Sequence, residues 1–154
     1  MVLKIKADDK NLDSVNNFIH KLLPVECSEK TLNEIDLAVE EIFVNIAHYA
    51  YKNTKDEKTS AKDKACSQNT GGQLDEHPGE VEISADFKNS VLSVTFCDSG
   101  IPFNPLLKEA PDLTLSAEKR KIGGLGIFLT KKFMDSVDYV YQDKKNKLTF
   151  QKRI

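Results

Sequence analysis

The chain contains five short stretches in which hydrophobic and polar residues alternate, a pattern that predicts β-strands with one buried face. These stretches span residues 2–7, 80–86, 90–98, 137–142 and 148–152. The second and third flank Lys88 and Asn89, and the fourth and fifth flank residues 143–146. We therefore expect two antiparallel hairpins in addition to the first strand.

Two other segments repeat hydrophobic residues every three or four positions, which predicts amphipathic helices. Asn11 is expected to cap the first helix, and Pro24 is expected to end it. Thr31 and Glu34 have the spacing of a capping box, so we expect the second helix to begin there. Its hydrophobic repeat continues as far as Ala50.

A third helix is expected over residues 125–134, directly after a cluster of glycines. The element order is then β-α-α-β-β-loop-α-β-β, in which the loop covers residues 103–122 and has room for one short helix. This order predicts an α+β fold: a two-layer sandwich of a mixed, mainly antiparallel sheet covered on one face by helices.

Residues 53–79 interrupt these patterns with a run of Lys, Asp, Ser, Thr, Gln and Gly that contains almost no large hydrophobic residue. Such a segment buries too little apolar surface to offset the entropy lost on ordering. We expect it to be a flexible polar insertion within a single domain that covers residues 1–154.

The composition excludes several classes of function. A net charge of -2 gives no electrostatic basis for binding nucleic acid or an anionic membrane. The three cysteines, Cys27, Cys66 and Cys97, form no CxxC pair and lack histidines at metal-ligand spacing, so they indicate reduced thiols. Neither a signal peptide nor a membrane span is evident, and we expect a cytoplasmic protein.

Glu41 and Asn45 lie one turn apart on the second helix, so a carboxylate and an amide can face the same pocket. Glu40 points instead toward the polar side of the helix. Partial burial would raise the pKa of Glu41, which suits a general base, and the Asn45 oxygen is a donor that Mg²⁺ accepts. A surface pair on an amphipathic helix would have the same spacing.

Asp98 ends a predicted strand and precedes Ser99 and Gly100, where the chain can turn close to a ligand. Its carboxylate could accept a hydrogen bond from the exocyclic amine of adenine. A turn aspartate that only caps the backbone has the same local sequence.

The run Gly123, Gly124, Leu125 and Gly126 opens the third helix, so backbone N–H groups there could bind a phosphate. The run is neither a GxGxxG fingerprint nor a Walker loop. A glycine hinge without a ligand remains the alternative.

Taken in order, the segments that start at Glu41, at Asp98 and at Gly123 resemble the N, G1 and G2 boxes of the ATPase superfamily that includes gyrase, Hsp90, histidine kinases and MutL. Residues 37–51, LAVEEIFVNIAHYAY, look most like the bacterial anti-sigma-factor serine kinases. The resemblance covers nearly the whole chain except residues 53–79, where that family usually has a short loop.

The resemblance implies the Bergerat ATP-binding fold and a role for each matching residue. Glu41 would be the general base, and Asn45 would help to hold Mg²⁺ against the phosphates of ATP. Asp98 would recognise the adenine amine, with Gly100 letting the base approach. Residues 103–122 would form a lid over the nucleotide, and the run Gly123, Gly124, Leu125 and Gly126 would contact its phosphates. Thr149 would help to fix the adenine-binding aspartate.

The resemblance also implies a protein serine/threonine kinase that phosphorylates an anti-anti-sigma (STAS-type) partner, regulates a sigma factor and forms a homodimer. A second reading is an ATP-dependent protein-interaction switch that transfers no phosphate. The catalytic domain of a histidine kinase would need a preceding helical hairpin, and a topoisomerase or mismatch-repair ATPase would need further domains.

Overall fold

The computed structural model of the protein describes residues 1–51, 79–107 and 125–154. Within them, five strands form one antiparallel sheet in the order β1-β2-β3-β5-β4. The strands are β1 Val2–Lys6, β2 Glu80–Lys88, β3 Val91–Asp98, β4 Ser136–Gln142 and β5 Lys145–Arg153. The predicted α+β sandwich is confirmed, with every described strand pairing antiparallel.

Two tight turns connect the hairpins, and both are placed differently from the sequence prediction. Asn89 and Ser90 join β2 to β3 with φ of 52° and 60°, and Asp143 and Lys144 join β4 to β5 with φ of 55° and 59°. Two consecutive residues with positive φ are typical of the type I′ turn, whose twist matches that of the flanking strands. The second hairpin turn is therefore shorter than predicted, and Asn146 belongs to β5.

Within the described residues, three α-helices accompany the sheet: α1 Leu12–His20, α2 Glu29–Asn45 and α3 Leu125–Phe133. A single π-helical turn, Ile46–Ala50, extends α2. The short helix expected in the loop after β3 is present as the 3-10 turn Pro105–Leu107. The insertion predicted at residues 53–79 lies outside the described residues except for Gly79.

The predicted cap of α2 was wrong, whereas Asn11 is the N-cap residue of α1 as predicted but lacks the capping hydrogen bond. Ser28, and not Thr31, caps α2, because its hydroxyl accepts a hydrogen bond from the Thr31 N–H at 3.1 Å. Asn11 makes no capping hydrogen bond to α1. Its side chain donates instead to the Lys6 carbonyl at 3.0 Å. Ser28 lies three residues before Thr31 and accepts from one of the unpaired N–H groups in the first turn, so the helix begins earlier than predicted.

The hydrophobic core lies between the sheet and α1, α2 and α3. Alternate residues of β2, β3 and β5 are buried on the face that meets the helices, and the other face is polar. Phe43 of α2, Phe96 of β3 and Phe150 of β5 are among its largest fully buried side chains. This packing fixes the C-terminal half of α2 against the ends of β3 and β5.

Lys152 of β5 ties α2 and α3 together at the edge of this core. Its ammonium group donates to Glu34 of α2 at 2.7 Å and to the carbonyl of Phe133, the last residue of α3, at 2.6 Å. The side chains of Lys152 and Glu34 are each 16% exposed. A cation at the C-terminal end of a helix also interacts favourably with the helix dipole.

Tyr51 joins the end of the α2 extension to the start of β2. Its ring fills the position where Gly79 would carry a side chain, since a Cβ there would lie 2.0 Å from the ring. The Tyr51 hydroxyl donates to the Glu80 carbonyl at 2.7 Å and accepts from the Ser99 N–H at 3.3 Å. Residues 51 and 79 are therefore held next to each other. No helix within the described ranges is long and apolar enough to cross a membrane.

Candidate functional site

A pocket opens between the C-terminal part of α2, the loop that follows β3, and the β4-β5 hairpin. It encloses about 470 Å³ when the open space at its mouth is included. Asp98 and Asn45, both expected from the sequence, lie in its wall. The full lining is Ile42, Asn45, Ile46, Tyr49, Ala50, Asp98, Ile101, Phe103, Pro105, Ile127, Tyr139, Asn146 and Leu148. The wall is mostly apolar with a few polar groups, the usual composition of a small-molecule site.

Asp98 is the buried carboxylate of this pocket, with 5% of its surface exposed. One oxygen, Oδ1, accepts two hydrogen bonds at 2.9 Å, from the Gly100 N–H and from the Asn146 side-chain amide. A buried carboxylate with donors on one oxygen can offer the other oxygen as an acceptor to a ligand. Asp98 is thus a preorganised hydrogen-bond acceptor in a mostly apolar cleft.

The structure gives a different reason for the glycine at position 100 than the expected approach of a ligand. A Cβ at this position would lie 2.3 Å from the carbonyl oxygen of Ala50. The next residue, Ile101, donates its N–H to that same oxygen at 2.8 Å. The absence of a side chain therefore lets the loop after β3 pack against the end of the α2 extension, which in turn shapes the pocket.

Asn45 makes one local hydrogen bond that orients its side chain. Its amide nitrogen donates to the backbone carbonyl of Glu41, one turn earlier, at 2.6 Å. This hydrogen bond does not involve the amide oxygen of Asn45, and Asn45 lines the pocket. No group of three or more His, Cys, Asp or Glu side chains within the described residues could hold a metal ion.

Glu41 lies beside the start of α3 and not in the wall of the pocket. A Cβ on Gly126 would lie 1.7 Å from the Glu41 carboxyl carbon, so the carboxylate occupies the space that the glycine leaves. Burial, followed by the charge of Glu40, raises the pKa of Glu41 above its ordinary value. Glu40 itself is exposed, as the helical pattern predicted.

The structure does not bring Thr149 to this pocket, and the expected contact with Asp98 is corrected. Thr149 pairs with Thr95 across β3 and β5, and their hydroxyls are 2.8 Å apart on the polar face of the sheet. Asp98 pairs with Asn146 and faces the helices. Because side chains alternate along a strand, residues three apart point to opposite faces.

Asn146 is therefore the β5 residue of the site, and sequence reasoning missed it because it was assigned to a turn.

Of the glycine run, Gly123 and Gly124 lie outside the described residues, as does most of the expected lid. Leu125 is the exposed first residue of α3, and Gly126 is buried against Glu41.

A family model of the histidine kinase-like ATPase domain matches residues 5–152 of the sequence. The chain belongs to the histidine kinase-like ATPase domain family. The match contains the three helices, β2, β3 and β4, and parts of β1 and β5. The pocket between α2 and the end of β3 therefore lies within the histidine kinase-like ATPase domain.

A solved structure supports the fold. The RsbU and RsbW domains of Rv1364c from Mycobacterium tuberculosis align over 99% of this chain with a TM-score of 0.57 and 11% sequence identity. The present chain covers 32% of that longer chain. At this identity the likeness concerns the fold alone. A comparison with curated proteins gave no match.

Proposed function

We propose that this protein binds Mg²⁺-ATP in the pocket around Asp98 and is a bacterial protein serine kinase that phosphorylates an anti-anti-sigma (STAS-type) partner. The observation that carries the proposal is that one pocket joins the buried Asp98 acceptor to Asn45, while Glu41 lies one helical turn before Asn45. Membership of an ATPase domain family is the independent support.

The adenine base is proposed to occupy the inner part of this pocket. Ile42, Ile101 and Leu148 provide apolar surface for a flat ring. The exocyclic amine of adenine donates hydrogen bonds, and Asp98 supplies a carboxylate oxygen that only accepts them. A base with a carbonyl group at the same position would place two acceptors against each other, which is unfavourable in a buried site.

The phosphates would then extend from the pocket toward Asn45 and the start of α3. Mg²⁺ prefers hard oxygen donors and retains several waters while it shares the phosphates, so the single amide oxygen of Asn45 is a sufficient contribution from the protein. Gly126 is the second residue of α3, and the N-terminal end of a helix favours negative charge. Gly123 and Gly124 are proposed to add backbone N–H donors.

Glu41 is proposed to act as the general base of the transfer. As the oxygen of the substrate serine bonds to the γ-phosphorus, the bond from phosphorus to the oxygen of ADP breaks, and the carboxylate takes the hydroxyl proton. A pKa raised by burial brings Glu41 closer to the operating pH, where a general base is most effective. The rest of the barrier is lowered by positioning and charge stabilisation.

The anti-anti-sigma partner, the regulation of a sigma factor, homodimer formation and a cytoplasmic location are parts of the same proposal. They rest on the resemblance of residues 37–51 to the anti-sigma-factor kinases and on the fold shared with a chain that carries an RsbW domain. The alternative is a switch that needs ATP for its conformation and transfers no phosphate.

Two variants test the site. Asp98→Asn should weaken Mg²⁺-ATP binding by about tenfold to a hundredfold, because an acceptor is replaced by a group that can turn a donor toward the amine. Glu41→Ala should bind ATP like the wild type and transfer no labelled phosphate to a co-encoded STAS-type protein. Equal ATP affinity in the wild type and Asp98→Asn contradicts the site. Binding without any transfer by the wild type favours the switch.

A further inference from the structure

Asn146 is the centre of a hydrogen-bond network that connects Asp98 to the rest of the pocket. Its surface is 6% exposed. The amide nitrogen donates to Asp98 Oδ1 at 2.9 Å and to the carbonyl of Ile101 at 3.1 Å. The amide oxygen accepts from the Tyr139 hydroxyl at 2.6 Å and from the Phe103 N–H at 3.2 Å. Both donors and both acceptor positions of the amide are thus engaged.

These partners permit one orientation of the Asn146 amide. A backbone N–H can only donate, so the side facing Phe103 must be the amide oxygen. A backbone carbonyl can only accept, so the side facing Ile101 must be the nitrogen. The nitrogen is then also the atom that faces Asp98, and the network cannot invert without leaving buried groups unpaired.

This fixed polarity determines what Asp98 offers to a ligand. Its Oδ1 accepts from the N–H groups of Asn146 and Gly100, and these two hydrogen bonds hold the plane of the carboxyl group. The remaining oxygen is an acceptor. We propose that Asn146 is a positioning residue that holds Asp98 in place as an acceptor and so makes the pocket select adenine over bases that present a carbonyl there. This proposal rests on the proposed ATP site.

The variant Asn146→Asp tests this role because it keeps the shape of the side chain and removes its donors. At pH 8 two carboxylates would face each other where a hydrogen bond now spans 2.9 Å, and ATP binding should weaken by about tenfold to a hundredfold relative to the wild type. At lower pH the pair shares a proton, and the new carboxylic acid can donate to Asp98. The loss should therefore shrink between about pH 8 and pH 5.5.

Among the described residues, the titratable side chains near this pair are Cys97 of β3, Tyr139 of β4, Tyr49 of the α2 extension and Tyr51, which follows it. Lys145 and Lys147 flank Asn146 in β5 and stay charged over the pH range of the test. Burial raises the pKa of the Cys97 thiol, so this group adds no negative charge below pH 8. Burial raises the pKa of Tyr139 and the pKa of Tyr51. A raised pKa keeps both hydroxyls neutral over the pH range of the test, so they add no pH dependence of their own.

Asn146→Leu is the matched control, because it removes the polar network without adding a group that titrates. If Asn146 had only a structural role, acidification would change the stability of Asn146→Asp but would leave the ratio of its ATP Kd to that of the wild type unchanged. The proposal predicts that Asn146→Asp recovers ATP binding on acidification and that Asn146→Leu does not. Thr149→Ser, on the opposite face of β5, should retain wild-type affinity throughout. The readout is the ATP Kd by isothermal calorimetry at each pH, divided by that of the wild type.

A second measurement needs no nucleotide. The melting temperature of Asn146→Asp relative to the wild type should be lowest at pH 8 and should approach the wild type as the pH falls, since the unpaired charges disappear. A difference in melting temperature that does not change with pH overturns the role of Asn146, whatever ATP does. If the wild type binds no ATP while the melting temperature of Asn146→Asp still depends on pH, the proposed function is overturned, and the proposed selection of adenine is overturned with it.

Discussion

Gly126→Ala places a methyl group where the Glu41 carboxylate now lies. The added carbon would be 1.7 Å from the Glu41 carboxyl carbon and 1.8 Å from one of its oxygens. Carbon atoms in contact are about 3.5 Å apart, so the carboxylate must move by roughly 2 Å. Because the carboxylate is the end of a flexible side chain, we expect it to move while α2 and α3 remain packed.

The effect on stability should be small. Alanine is favoured over glycine inside a helix by about 1 kcal/mol. Forcing Glu41 away from its preferred rotamer costs about 0.5–1.5 kcal/mol. These effects nearly cancel, so the melting temperature should change by less than about 3 °C.

The effect on phosphate transfer should be large if Glu41 is the base. A general base contributes about 10²–10⁴ in rate, and a displacement of about 1 Å at a reacting centre can cost about 10²-fold. We expect transfer to fall at least about a hundredfold, while ATP affinity changes by less than about fivefold because alanine keeps the N–H of residue 126. Single-turnover transfer of labelled phosphate to the protein partner and calorimetric ATP binding measure the two quantities.

Glu41→Ala supplies the control for this mechanism. With the carboxylate absent, the three atoms nearest to the added methyl group are gone, so Gly126→Ala should then stabilise the protein by up to the helix preference of about 1 kcal/mol. Urea unfolding of both single variants and of the double variant measures this coupling. The reasoning is refuted if Gly126→Ala transfers phosphate at the wild-type rate, or if its effect on stability is the same with and without Glu41.

Two further predictions concern charged groups in the core and at the site. Since burial and the charge of Glu40 raise the pKa of Glu41, the ionised carboxylate destabilises the folded state above that pKa. Glu41→Gln should therefore raise the melting temperature near neutral pH, and the gain should shrink toward about pH 4, where the carboxyl group is protonated in both states. A gain that grows on acidification would contradict this sign. Lys152→Met should lower the free energy of unfolding by about 2–3 kcal/mol in urea titrations, because it leaves the largely buried Glu34 with only the exposed Lys30, 4.0 Å away, and removes a donor from the end of α3. Adding Glu34→Gln should restore part of the loss, and a loss below about 0.5 kcal/mol would show that solvent already screens the pair.

The sequence was sufficient to predict the sheet, the order of the elements and the face of α2 that carries Glu41. These features depend on local periodicity, which each segment carries by itself. The raised pKa of Glu41 was predicted from the same periodicity and is confirmed. The hydrophobic repeat gave the extent of α2, although it could not distinguish the π-helical turn at its end.

The partner of Asp98 could not be obtained in this way, because it depends on the register of β5 against β3. The polar run at residues 143–146 is typical of a loop, whereas the chain turns on Asp143 and Lys144 alone. This shorter turn places Asn146 on the strand, opposite Asp98. A shift of one residue in a strand moves every side chain to the other face, so the choice between Thr149 and Asn146 follows from the turn.

The contact between Glu41 and Gly126 is also a tertiary property. Both residues were expected at the site from their motifs, yet nothing in either motif specifies that the glycine makes room for the carboxylate. That relation exists because α3 packs closely against α2.

Because Tyr51 and Gly79 are in contact, the number of residues between them can change without affecting how the rest of the domain packs. Because the tyrosine ring packs on the glycine and its hydroxyl reaches the Glu80 carbonyl, the chain leaves the α2 extension and re-enters β2 at almost the same point. The entropy of closing a loop between fixed ends grows only slowly with the number of residues. Evolution can therefore lengthen or shorten the sequence between residues 51 and 79 at little thermodynamic cost, with the strand order and the pocket unchanged.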